Sequence, residues 1–353
     1  MRYALAAAVL LMMAGCGAME SAEYYWQSAS GQLDLVARAK PISEVIADTS
    51  DAALKRRLQR VQAMRAFAST DLALPDNASY TRYTDLDRPF VVWNVFATPE
   101  LSLQSRQWCF PVAGCVSYRG YFREEDAKAE ADRLRAAGDD VAVTGVPAYS
   151  TLGYFDDPVL STFVRWPEPE VARMIFHELA HQVVYVKDDS TFNESFAVAV
   201  EEAGLDRWLK AAGDAGLEQY RARSVKQRTA FRELTRQARA ELSAIYASTA
   251  TDDEKRARKA QVLAAMREGY ERAKAGEPGL AGYERWFAGY AGGGANNASL
   301  ASTSLYSAQV PAFRALLAEE HGDMARFYER VKALAAMRKP ERTAVLRKLG
   351  GEP

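Results

Sequence analysis

Met174-Ile175-Phe176-His177-Glu178-Leu179-Ala180-His181-Gln182 is the stretch that decides how the rest of this chain reads. With Val183 and Val184 it forms a strongly apolar segment, and a helix is expected over Pro167–Val186, with Pro167 and Pro169 near its start. Two of the three histidines in the chain sit here, four positions apart. That spacing stacks His177 and His181 one turn apart on one helix face, where both imidazoles reach a single ion. Two buried imidazoles beside a buried carboxylate are costly without a metal or another partner. The pattern H-E-x-x-H therefore points to one zinc ion per chain, with Glu178 placed to take a proton from water at the ion.

A zinc site that works needs a third protein donor and an open position. Phe192-Asn193-Glu194-Ser195-Phe196-Ala197 opens the next helix, expected over Asn193–Ala211, and Glu194 follows His181 by thirteen residues. A helix folding back after a short loop brings one carboxylate to the metal, and Glu194 has the position for it. Glu201 lies seven residues on, two turns along the same face. It serves as acceptor for a ligand histidine or, alternatively, as the ligand itself. Asn193 is grouped with it as a supporting residue. The remaining histidine, His321, stands among Glu319, Glu320 and Gly322 and reads as a surface helix end.

The run His177–Gln182 followed by Asn193–Ala197 and Glu201 resembles the gluzincin aminopeptidases, whose pattern is HELAHQ, a loop, then NEGFA with an acid seven residues past the ligand. More widely, the chain resembles a bacterial family of predicted zinc aminopeptidases that are lipoproteins of about this length. Shared stretches include Arg88–Glu100, Trp108–Phe122 and Ala148–Pro158, and the likeness runs from the stretch around Met13–Cys16 to about residue 210, with a weaker echo around Asn296–Ala298 and Tyr306. It implies a zincin fold, zinc on His177, His181 and Glu194, Glu178 as general base, and a peptide substrate. Two departures stand out. The loop between His181 and Glu194 is shorter than in the large gluzincin aminopeptidases. Their G-x-M-E-N motif, whose glutamate grips the substrate's free amine, is missing, and the corresponding Gly145–Thr151 carries no acid.

Zinc peptidases also need a donor for the developing oxyanion. Tyr149 and Tyr154 flank the strand expected to hold substrate, and Tyr306 lies in the later helical part; Tyr149 and Tyr306 are the candidates carried forward.

At the N-terminus, Arg2, the apolar run Ala4–Met13 and then Met13-Ala14-Gly15-Cys16 match a lipoprotein signal peptide over residues 1–15. Cys16 is the expected lipidation site, giving a membrane anchor through acyl chains. Gly17 at the next position favours the outer membrane, periplasmic side, of a bacterial envelope. Cys109 and Cys115 remain, and Pro111 and Gly114 between them allow the tight turn that a disulfide needs in that oxidising compartment.

Elsewhere the chain holds 26% charged residues at a net charge of −1, so no global field points to nucleic acid. A polar, aromatic tether is expected over Glu20–Gln32, then helices over Gly31–Ala39 and Ser43–Ser69. Strands are expected at Phe90–Ala97, Cys115–Phe122 and Val141–Val146, with a charged helix over Arg123–Ala137. Residues 217–275 read as a two-helix hairpin arm, and two closing helices run over Leu300–Leu317 and Gly322–Leu349. The fold class is α+β, mostly helical, with a small central sheet in one domain spanning 16–353. The reading is a zinc-dependent peptidase, an aminopeptidase by resemblance. An envelope endopeptidase and a non-catalytic zinc-stabilised scaffold are the alternatives.

Overall fold

A computed structural model describes residues 23–351, apart from 111–113 and 306–307. Helix α1 (23–38) leads into strand β1 (Lys40–Pro41), helices α2 (Ile42–Asp48) and α3 (Ala52–Thr70), and strand β2 (Arg82–Thr84). Strands β3 (Val92–Pro99), β4 (Trp108–Phe110), β5 (Gly114–Val116) and β6 (Arg119–Tyr121) follow, then helix α4 (Glu124–Ala136) and strand β7 (Asp139–Val146). Short β8 (Val159–Leu160) and α5 (Ser161–Val164) precede the central pair α6 (Glu168–Val183) and α7 (Ser190–Ala212). The arm is α8 (Ala215–Ala247) and α9 (Asp252–Gly276), and the chain ends through α10 (Glu284–Ala288), α11 (Asn297–Leu305), α12 (Val310–Glu319), α13 (Met324–Ala335) and α14 (Lys339–Leu349). The described part is thus mostly helical with small sheets, an α+β fold. No described helix is long and apolar enough to cross a membrane.

The strand β3 reads as a continuous apolar run because both faces of its sheet are covered. Its alternate residues Trp93, Val95 and Ala97 pack with Ala127, Ala131 and Leu134 of α4, whereas Phe96 packs with Ala142 and with Ala298 of α11. The sheet order is β6-β3-β7, antiparallel throughout, so β7 is an edge strand. A second sheet, β1-β2-β8, joins the α3 region to the chain entering α6.

The main core lies around α3, α6 and α7. Leu58, Val61, Met64 and Ala68 of α3 meet Ile175, Phe176 and Leu179 of α6 and Phe196 and Val200 of α7. Phe67 contacts both the Phe176 ring and the Trp208 ring. Gly204 permits the close approach here: a Cβ on it would lie 2.8 Å from atoms of Leu72 and Phe176.

Several boundaries differ from expectation, each for a local reason. Residues 23–38 are helical where a tether was expected in part, because the face bearing Gln32 and Leu35 buries against the body. The helix expected over 43–69 is two, since Asp51 turns its carboxylate onto the amides of Ala53 and Leu54 and starts α3 afresh. Cys115–Phe122 is two strands in two sheets, β5 with β4 and β6 with β3. The two closing helices are four: the first span divides into α11 and α12, with Pro311 in the first turn of α12, and the second into α13 and α14, with Pro340 in the first turn of α14.

The arm forms with the expected break, and Thr251 and Glu254 make a capping box that starts α9. It has a core of its own, in which Tyr270 stacks on Phe287 at 3.9 Å between ring centres. Lys259 reaches Asp140 at 2.7 Å and Arg256 reaches Glu100 at 3.0 Å, so the hairpin is tied to the end of the sheet where β3 finishes and β7 begins.

Candidate metal centre

The helix α6 starts with Glu168 and Glu170 in its first turn, where carboxylates suit the positive end of the helix dipole, and Pro169 needs no partner for its nitrogen there. Arg173, His177 and His181 lie at successive i, i+4 positions along it. The chain then leaves the helix and returns as α7 through residues 184–189.

That return is held at several points. Asn193 donates to the carbonyl of Val186 and accepts from its amide, each at 2.8 Å. Asp189 caps α7 and forms a buried pair with Arg342 of α14 at 2.6 Å. Asp188, at φ 65°, accepts from the Cys115 amide at 2.5 Å. Cys115 is itself disulfide-bonded to Cys109, closing the β4–β5 hairpin. Gly114, at φ 75°, lies so close to this loop that a Cβ would meet Lys187 Cγ at 2.3 Å.

The loop delivers Glu194 to the histidines. Nε2 of His177 and Nε2 of His181 are 3.2 Å apart, and Oε2 of Glu194 lies 3.3 Å from the first and 3.8 Å from the second. Among the described residues these three buried side chains form the group able to hold a metal ion. Bonds of about 2.0–2.1 Å in a tetrahedron place donor atoms roughly 3.3 Å apart, which the two separations from His177 match, while that between His181 and Glu194 is wider. Lone pairs crowded this closely in a buried site repel unless a proton or a cation lies among them.

Behind the donors, Nδ1 of His177 faces Oε2 of Glu201 at 2.9 Å, while Arg173 binds the other oxygen of Glu201. Burial opposes the charged form of Glu201, but the Arg173 charge and the His177 hydrogen bond outweigh it and hold its carboxyl down at about 2. Glu194 is likewise lowered: burial raises it, and the two histidines outweigh that. Burial, opposed by the Glu194 charge and aided by that of His177, takes His181 down to about 4, keeping it neutral, and its Nδ1 has no hydrogen-bond partner. For His177 burial also pushes downward, yet hydrogen bonds to Glu194 and Glu201 and the carboxylate charges raise it well above the usual histidine range. A neutral His181 and an ionised Glu194 are the forms that ligate a cation.

Glu178 feels the charges of His177 and Glu194 but is not hydrogen-bonded into this network. No hydrogen bond or ion pair holds its carboxyl among the described residues, and burial lifts it to about 8. A bound dication would oppose that lift. It faces the fields of Asp157 and of Tyr80, whose hydroxyl is buried and unpartnered.

The structure brings His177, Glu178, His181, Glu194 and Glu201 together. It places Asn193 one step back, spent on the loop backbone. Tyr149 is turned elsewhere: its hydroxyl binds Gln32 of α1 and its ring packs edge-on against Phe122. Tyr154 is exposed on a turn, and His321 is exposed between α12 and α13. Tyr306 and Cys16 lie outside the described residues.

Three neighbours escaped the sequence reading. Tyr118 and Tyr185 both face Glu194, and Tyr118 faces Glu178 as well; burial raises both phenols. Arg173 had a legible signal, four residues before His177 on the same face as the two histidines. Tyr118 had none, because its place depends on how β6 pairs with β3.

No curated protein and no solved structure matches the chain. The profile of a family described as "Putative aminopeptidase" matches residues 23–346, from α1 into α14. That span contains the whole cluster and nearly all of the described fold, and the chain belongs to this family.

Proposed function

We propose that the chain is a zinc-dependent peptidase of zincin fold that removes N-terminal residues from peptides. The observation that carries this is the triangle of His177, His181 and Glu194, with donor separations of 3.2, 3.3 and 3.8 Å and a partnerless Glu178 beside it. Family membership supports the aminopeptidase part.

Zinc bound by His177, His181 and Glu194 supplies Lewis acidity to the scissile carbonyl and to water. Glu178 takes one proton from the attacking water as the C–O bond forms, then gives it to the leaving amine as the C–N bond breaks. Its freedom from other partners suits it to move a proton both ways. Tyr118 or Tyr185, on the side of Glu194, donates to the oxyanion, a role for which a raised phenol stays protonated. The edge strand β7 is where an extended peptide would pair.

The second reading, an endopeptidase, is favoured by the lack of any acid in Gly145–Thr151 to hold a free amine. Peptide pairs with free and N-acetylated ends separate the two. Preference for the free end supports the proposal, and equal cleavage of both replaces it with the endopeptidase. Bound metal without any cleavage leaves a zinc-stabilised scaffold. On the sequence of residues 1–16 we further propose lipidation at Cys16 and residence in a bacterial envelope, tested by labelling with a fatty-acid analogue and by Cys16→Ser.

A further inference from the structure

The two histidines of the triangle are held unequally. His181 has no partner on Nδ1. His177 has Glu201 at 2.9 Å, and behind Glu201 stands Arg173. Each oxygen of the Glu201 carboxylate thus has its own neighbour: one faces His177, the other Arg173. A carboxylate held at both oxygens cannot rotate, so the plane of the imidazole it faces is fixed too. With Glu201 as acceptor, His177 carries its proton on Nδ1, and the lone pair of Nε2 points at Glu194 and His181.

Arg173 is itself held. One Nη donates to Glu170 at 2.8 Å, and Glu170 also receives the hydroxyl of Ser224 at 3.0 Å and Arg228 at 3.4 Å. Ser224 and Arg228 belong to α8, so a continuous polar chain runs from the arm to the ligand. Nε of Arg173 is buried with no hydrogen-bond partner. An orphaned buried donor costs stability, and an apolar side chain of similar length would avoid that cost.

We propose that Arg173 is a positioning residue for the metal centre: through Glu201 it fixes the orientation of His177, and Glu170, Ser224 and Arg228 anchor it to the arm. The inference rests on the metal-site reading above. It makes zinc affinity, and not only activity, depend on a residue that touches no ligand.

The test is a zinc titration of the apo full-length chain against a chromophoric chelator. Wild type, Arg173→Met, Arg173→Lys, Glu201→Gln, the Arg173→Met/Glu201→Gln double variant and Arg228→Met are compared, with apo melting temperatures measured in parallel. Arg173→Met should weaken zinc about 10- to 100-fold, the usual effect of losing the support behind a ligand. Arg173→Lys should recover part of it, and Arg228→Met should lose less. In the Glu201→Gln background Arg173→Met should cost little more, because both act through one contact. Losses that multiply in the double variant would overturn the proposal. So would unchanged zinc affinity in Arg173→Met with a lowered melting temperature, which is what a packing role gives. Should Arg173→Met fail to fold, Arg173→Lys and Arg228→Met against Glu201→Gln carry the same comparison. A wild-type chain that binds no zinc defeats the metal-site reading itself, a result distinct from equal binding by wild type and Arg173→Met.

Discussion

Nδ1 of His177 lies 2.9 Å from Oε2 of Glu201, while Nε2 of the same ring lies 3.3 Å from Oε2 of Glu194. One imidazole is thus addressed by two carboxylates of α7 a little under two turns apart. It can give a proton to one and share a cation with the other.

Glu178→Gln should leave bound zinc unchanged and lower the hydrolysis rate by about 10²–10⁴-fold, the usual worth of a general base. Glu194→Ala, by contrast, should lose the metal. Elemental analysis beside peptide turnover distinguishes them. Full activity in Glu178→Gln would sink the assigned role.

Cys115→Ser opens the Cys109–Cys115 clip, whose sequence separation is 6 residues. So short a loop removes little entropy from the unfolded chain, and the loss should be roughly 2 kcal/mol. In a chain of this size that lowers the melting temperature by about 3 °C. Scanning calorimetry of oxidised and reduced protein measures it.

Arg342→Met removes the nearer partner of Asp189 from a pair in which both side chains are almost wholly buried, leaving Lys339 at 3.7 Å. The carboxylate caps α7 just before Glu194 and keeps only the more distant Lys339, so the cost should be about 3 kcal/mol, the lower end for breaking a buried pair. Urea unfolding reads the stability. A loss below about 1 kcal/mol would mean that solvent reaches Asp189 readily.

Asp157 supplies a pH dependence away from the ligands. Burial, opposed by hydrogen bonds from Thr151, raises its carboxyl from 3.8 to about 6. The native state therefore holds this proton more tightly than the unfolded chain. Its contribution to stability is complete below about pH 4 and is lost as the pH rises through about 6. Asp157→Asn copies the protonated form, so its stability relative to wild type should rise over that window by up to about 3 kcal/mol. Urea midpoints of both proteins at pH 4.5 and 7 test the sign. A difference that does not change with pH would refute it.

Much of the centre is legible in the chain because its signals are local. His177 and His181 share a face through helical periodicity alone, and Glu194 and Glu201 share one on the next helix. The break at Ser248–Thr251 marks the arm, since a capping box needs residues only three apart. Tyr149 shows the limit. Its sequence position beside the strand suggested the site, but its ring turned to Phe122 and its hydroxyl to Gln32, 117 residues away.

The sequence by itself determined which groups are present: two imidazoles and a carboxylate on one helix, and acids at a two-turn interval on the next. Periodicity and capping act over a few residues, so those elements are written into the order of the chain. Only the tertiary structure decided that Arg173 holds Glu201, that Tyr118 and Tyr185 face Glu194, and that the disulfide hairpin braces the loop between His181 and Glu194. Such contacts join residues far apart in the chain. They depend on how whole faces of helix and sheet bury one another, which no local pattern records.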